Sequence, residues 1–396
     1  MSDPSSAASS KRVLVVYGTR PEAIKMGPLV AALRQEAGIE LTVAVTGQHR
    51  EMLDEVNGLF GIAPQFDLRL LEHGQTPAQL TERALPRLVE VVRRVRPHAV
   101  IVQGDTTTTF TGALAAFYEH VPVVHLEAGL RTGDRQRPFP EEANRRLTTQ
   151  LTDLHLAPTL HSRRNLEAER VAPKDIVVTG NTVIDALYMT VGRPPSWSDP
   201  RVPALLEAST HTVLVTLHRR EAWGEPMARV ADAVATIARR HPAAGIVLPA
   251  HPNAVVREVL VPRLAQLPNV VLTEPLPYGE LCHVLNASDL VITDSGGLQE
   301  EGPSLGKPVL VARDTTERPE GLASGIVTLV GTERDAIVRA AEGYLSAPRR
   351  PAQRPASSPY GDGRASARAA AAVCCLLGLG ARLPDFAAPS AREPGF

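Results

Sequence analysis

Short apolar runs recur along the chain, separated by longer stretches with helical spacing. In the first half the runs fall at residues 13–17, 41–46, 99–102 and 123–126. In the second they fall at 213–216, 245–248, 270–272, 290–293, 309–311 and 326–330. They are largely apolar and mostly continuous rather than strictly alternating, which suits parallel strands buried on both faces. Residues 78–96 set Leu80, Ala84, Leu88 and Val92 on one face of a predicted helix. The rhythm breaks at 193–200, a proline-rich stretch that reads as an interdomain or surface segment. Residues 350–364, rich in Pro, Ser and Gly, read as a second linker. The predicted fold class is therefore α/β, with two doubly wound domains facing a cleft. One domain spans 11–185 and the other 186–364, with a helix at 365–379. Residues 1–10 and 380–396 are expected to be disordered tails.

Composition narrows the function classes. Of 396 residues, 43% are hydrophobic and 21% charged, which excludes a wholly disordered chain. A net charge of −1 supplies no global basic field for a nucleic-acid backbone. Three cysteines with no Cys-x-x-Cys pair cannot form a disulfide scaffold, and they fit a reducing compartment. The N-terminal residues have no apolar secretory core. The apolar run 369–379 falls short of the roughly 20 residues that span a bilayer. A soluble cytoplasmic protein with no nucleic-acid or membrane partner is expected.

Candidate chemistry gathers behind the apolar runs, where open α/β sheets bind their ligands. Gly18-Thr19-Arg20 follows the first run, Gln48-His49-Arg50 the second and Gly104-Asp105 the third; Glu127 follows the fourth. In the second half the same places hold His218, Asp294-Ser295-Gly296-Gly297 and Arg313-Asp314. Ser295-Gly296-Gly297 suits either an ordinary glycine turn or a cradle whose backbone amides hold a diphosphate. Asp105, Glu127 and Glu141 suit either turn and helix caps or general acid/base work. Glu141 and Glu142 follow Pro138-Phe139-Pro140 and are predicted to open a helix. No Gly-x-Gly-x-x-Gly and no Walker lysine motif is present, so neither a dinucleotide fingerprint nor a P-loop is supported.

Longer strings carry a resemblance. They are 18–26 (GTRPEAIKM), 48–53 (QHREML), 104–109 (GDTTTT), 127–133 (EAGLRTG), 140–145 (PEEANR), 180–185 (GNTVID), 294–301 (DSGGLQEE) and 313–320 (RDTTERPE). In this order they resemble the bacterial non-hydrolysing UDP-N-acetylglucosamine 2-epimerases, over about residues 11–375. The resemblance implies a GT-B-like fold with an interdomain site and a C-terminal helix that returns to the first domain. It implies a homodimer that interconverts UDP-GlcNAc and UDP-ManNAc through 2-acetamidoglucal, without NAD or an essential metal. It assigns Asp105, Glu127, Glu141 and His218 to catalysis. Arg20, Lys25, Ser295, Gly296, Gly297, Glu301 and Arg318 are assigned to the substrate, with Glu301 on the ribose hydroxyls. Gln48, His49 and Arg50 are assigned to an additional, activating UDP-GlcNAc site. The chain departs from the family pattern at Leu217, Ala222-Trp223-Gly224, His251-Pro252-Asn253 and Gly74.

Overall fold

The computed structural model describes residues 10–388, apart from 48, 49, 71, 73, 220, 221, 317, 350–354, 356 and 357; for 50–52 it describes the backbone alone. The chain divides into two units. The first runs to Ala186 and resumes over Gly361–Ala387, and the second takes up Leu187–Tyr360.

The first unit holds seven strands: β1 (Lys11–Tyr17), β2 (Ile39–Val45), β3 (Phe66–Asp67), β4 (Ala99–Gln103), β5 (Val123–Leu126), β6 (Leu154–Ala157) and β7 (Ile176–Val178). Their order is β3-β2-β1-β4-β5-β6-β7, all parallel. The four apolar runs of the first half fall on β1, β2, β4 and β5. Val13–Val16 and every residue of β4 are buried, as a sheet covered on both faces requires. The sequence pattern does not single out β3, which has two residues, or β6 and β7, which are no shorter than β5 and β12.

Helix Pro77–Val95 matches the predicted one. A capping box between Thr76 and Gln79 starts it, Pro77 sits in its first turn, and left-handed Arg96 ends it. Ala84, Leu88 and Val92 are buried as predicted. Helix Ala365–Leu376 packs against helix Arg20–Leu33 within the first unit. Its opening amides are held by Asp185, which accepts from Ala365 N (3.1 Å) and Ser366 N (2.8 Å). The expected disordered tail is corrected over 380–388. There Phe386 is buried, its N–H donates to Val178 O at 2.7 Å, and the Arg368 guanidinium lies over its ring. An aromatic ring with an apolar seat and a cation above it outweighs the polar composition around it.

The second unit repeats the plan with β8 (His211–Thr216), β9 (Ala244–Pro249), β10 (Val270–Thr273), β11 (Leu290–Thr293), β12 (Val309–Val311) and β13 (Val327–Leu329). Their order is β10-β9-β8-β11-β12-β13, again all parallel. All six apolar runs of the second half fall on these strands. Helix Arg201–Ala208, unforeseen in the sequence, follows the 193–200 segment. No helix among the described residues is long and apolar enough to cross a membrane.

Candidate active site

In each sheet the strand order reverses between two neighbours, β1 and β4 in the first unit and β8 and β11 in the second. Loops diverge at such a point and leave a crevice at the carboxyl edge. Asp105, His218 and Ser295–Gly297 lie on these loops, Arg20, Lys25 and Glu301 on the helices that the loops lead into, Glu127 and Glu141 beyond β5, and Arg318 beyond β12.

In the first unit the turn after β1 passes close to its neighbours. A Cβ on Gly18 would stand 2.1 Å from Thr46 Oγ1 and 2.6 Å from Thr108 Oγ1, so only glycine fits. Glu22 then ties this turn to the one after β4. Its carboxylate accepts from Gly18 N (3.0 Å), Thr19 N (2.7 Å), Thr106 Oγ1 (2.7 Å) and Thr109 Oγ1 (3.1 Å). Burial raises the Glu22 pKa, against these donors. Arg20 opens the helix that follows and is half-buried.

Glu127 lies just beyond β5 with φ at 64°, a left-handed backbone that a non-glycine residue rarely adopts. Its buried carboxylate receives Lys25 Nζ at 2.5 and 2.6 Å, Gln103 Nε2 at 2.5 Å and Asn181 Nδ2 at 3.2 Å. Gln103 ends β4, and Asn181 follows β7. Three elements therefore converge on one carboxylate. Lys25 is thus an ion-pair partner of Glu127, with its side chain 19% exposed.

Asp105 pairs with Arg145, and its carbonyl accepts from Asn144 Nδ2 at 3.0 Å. Burial opposes the charge on Arg145, but Asp105 and Glu142 outweigh it and raise its pKa. The adjacent glutamates separate cleanly. Glu142 is fully buried and accepts from Thr132 N (3.1 Å), Arg145 Nη1 (2.8 Å) and Arg146 Nε (3.2 Å). Glu141 is half-buried at the start of helix Glu141–Gln150 and makes no side-chain hydrogen bond among the described residues. Helix geometry produces the split, since neighbouring residues point about 100° apart.

Beneath the Asp105 turn lie two buried histidines. His125 Nε2 donates to Gly104 O at 2.7 Å, because a carbonyl can only accept. His155 is its register partner on β6. Burial lowers the His125 pKa to about 4. Burial, with repulsion from His125, lowers that of His155 to about 3.

In the second unit, Asp294 ends β11 fully buried. Its Oδ2 accepts from His218 N (2.8 Å) and Arg219 N (2.9 Å), while Oδ1 stands 2.9 Å from His218 Nδ1. That last contact places the ring edge directly against the carboxylate. Burial opposes the charge on Asp294, but His218 and the two amides outweigh it and lower its pKa. The His218 side chain is 45% exposed, so the ring is anchored at one edge and open to solvent. Ser295 N donates to Thr293 Oγ1 at 2.9 Å, and Gly297 precedes helix Leu298–Ser304. Arg318 crosses Gly296: a Cβ there would stand 2.6 Å from Arg318 Nη1. Glu300 holds that guanidinium, accepting from Arg318 Nε at 2.6 Å. Glu301 is buried and accepts from Tyr278 Oη at 3.0 Å.

The structure thus joins Lys25 to Glu127 in one unit and Gly296 to Arg318 in the other. It leaves Glu141 apart from the ion pairs around it. Gln48, His49 and the Arg50 side chain lie outside the described residues. Sequence reasoning named Asp294 among the groups at the strand ends without giving it a role, and missed Gln103, Asn181, Arg145 and Tyr278 as functional side chains. For all of these but Tyr278 a signal was available: each is a polar residue at a strand end or in a quoted string, and each is buried.

Comparison with known proteins adds three findings. The family model described as UDP-N-acetylglucosamine 2-epimerase matches residues 31–374. A UDP-N-acetylglucosamine 2-epimerase of Yersinia pestis is 48% identical over 363 residues, covering 90% of this chain and 96% of the relative. Among solved structures, the UDP-GlcNAc 2-epimerase of Neisseria meningitidis bound to UDP-GlcNAc superposes with a TM-score of 0.80 at 41% identity, over 93% of this chain and 100% of that one. S. aureus MnaA in a co-structure with UDP gives 0.83 at 40% identity, over 95% and 100%.

Proposed function

The chain belongs to the UDP-N-acetylglucosamine 2-epimerase family, and we propose that it interconverts UDP-GlcNAc and UDP-ManNAc by eliminating and re-adding UDP through 2-acetamidoglucal. The C2 hydrogen of the sugar has no adjacent carbonyl, so a carboxylate cannot remove it directly. Breaking the C1–O bond first develops positive charge at C1 and acidifies that hydrogen. Its loss gives the glycal. Return of a proton to the opposite face, with UDP re-adding at C1, inverts C2.

Each unit supplies part of this. In the second unit, His218 and the amides around Ser295–Gly297 receive charge on the departing diphosphate, and Glu301 takes the ribose. Arg318, seated on Gly296, adds a guanidinium. In the first unit, Arg20 supplies a further cation, and Asp105, Glu127 and Glu141 exchange protons with C2. Inversion needs proton transfer at both faces, hence more than one carboxylate. The proposal extends to a cytoplasmic homodimer, which light scattering of the purified protein would detect as twice the chain mass.

The observation that supports this reading most is Glu127. A carboxylate on a left-handed backbone, gripped by Lys25, Gln103 and Asn181, is the kind of strained, over-determined placement that folds retain at reacting centres. The test is proton NMR of UDP-GlcNAc incubated with desalted, EDTA-treated protein in D2O. UDP-ManNAc should appear with deuterium at C2. Turnover that leaves C2 undeuterated, or that needs added NAD, refutes the route. Free ManNAc as the main product would make the enzyme hydrolysing instead.

A further inference from the structure

Glu301 owes its orientation to a residue from another helix. Tyr278 opens helix Tyr278–Ala287, is 5% exposed, and donates its hydroxyl to Glu301 Oε1 at 3.0 Å. Cys282, one turn further on and 2% exposed, lies against the phenol. The ring is buried, and its oxygen has two torsions of freedom behind it, so the bond it donates is rigidly mounted. The second carboxylate oxygen, Oε2, lies on the Gly297 side, where a Cβ built on that glycine would stand 3.6 Å away. One oxygen is therefore held from behind, and the plane of the carboxylate is set for the other.

A vicinal diol is recognised by a carboxylate whose plane matches the two hydroxyls; a freely turning carboxylate loses that match. A site built to bond a hydroxyl also discriminates strongly against an analogue that lacks it. We propose that Tyr278 is a positioning residue that, by pinning Glu301, sets the preference of the second unit for ribonucleoside over 2′-deoxyribonucleoside diphosphates. This rests on the reading of Glu301 as the ribose ligand.

The experiment is titration calorimetry of UDP and dUDP against the full chain, Tyr278→Phe, Glu301→Gln and the double variant. The natural chain should bind UDP at least about 10-fold more tightly than dUDP. Tyr278→Phe removes one oxygen and keeps the ring. It should weaken UDP by about 5-fold or more while leaving dUDP within about 2-fold. The double variant should show the same UDP/dUDP ratio as Glu301→Gln alone, since the phenol acts only through the carboxylate. If Tyr278→Phe does not fold, Tyr278→Leu, which likewise removes the hydroxyl, is titrated against the same expected and overturning outcomes. An unchanged ratio in Tyr278→Phe beside a collapsed ratio in Glu301→Gln overturns the proposal and leaves the ribose reading standing. Equal weakening of both ligands by Tyr278→Phe, or additive losses of ratio in the double variant, also overturns it. An unchanged ratio in Glu301→Gln overturns the ribose reading, and the role of Tyr278 with it.

Discussion

Acidification should loosen the first unit well before ordinary acid unfolding, because His125 and His155 are buried there as neutral rings. Their folded pKa values, about 4 and about 3, lie below the ordinary histidine value. Between those values and about 6.5 the unfolded chain therefore binds more protons than the folded one. The contribution is complete above about pH 6.5 and is lost as pH falls toward the folded values. At pH 5 both rings are still largely neutral when folded and protonated when unfolded. The loss is about 1.4 kcal/mol per pH unit per ring, so roughly 2 kcal/mol each and about 4 kcal/mol for the pair. Against a typical stability of about 5–15 kcal/mol that is a large fraction. Urea unfolding at pH 8, 6.5 and 5 would measure it. Both tryptophans, Trp197 and Trp223, belong to the second unit, so their fluorescence follows that unit while far-UV circular dichroism follows both. The acid-induced loss should appear in the dichroism transition that fluorescence does not share. In His155→Leu, which leaves the His125–Gly104 bond in place, the loss from pH 8 to 5 should shrink by roughly 2 kcal/mol. Parallel pH profiles for the two proteins, or a wild type that gains stability on acidification, would refute the reasoning.

Two further expectations follow from the site. Asp105→Asn, Glu127→Gln and Glu141→Gln should each lower kcat by at least about 100-fold in a coupled epimerase assay, with the fold retained by circular dichroism. Near-normal turnover in any one of them removes that carboxylate from proton transfer. The glycines should separate by what their Cβ would meet. Gly18→Ala meets two buried threonines and should cost about 1–3 kcal/mol of stability. Gly296→Ala meets the movable end of Arg318, so it should leave the melting temperature nearly unchanged while weakening UDP by about 10-fold in calorimetry. Equal thermal losses in the two variants would contradict this distinction.

Much of this was legible in the chain itself. Unbroken apolar runs cannot sit at a half-solvated sheet, so ten of the strands and the doubly wound class follow from hydrophobic pattern alone. The motif strings behind those runs likewise locate Asp105, Glu127, His218 and Glu301, because an α/β sheet puts its ligand loops at the strand ends. The pattern reading passed over β6 and β7, although they are as long as β5 and β12, and pattern could not reveal the packing of Phe386 on the first unit. Nor could it separate Glu141 from Glu142: both are acids in a first helical turn, and only the helix's rotation against Thr132 and Arg145 buries Glu142 while leaving Glu141 half-buried. The grip of Lys25, Gln103 and Asn181 on Glu127 joins residues up to 102 positions apart, and that of Tyr278 on Glu301 spans 23. Local sequence encodes backbone preference and burial. Which polar groups meet across such separations is set by the order and register of the strands that carry them, and that is decided only when the sheet closes.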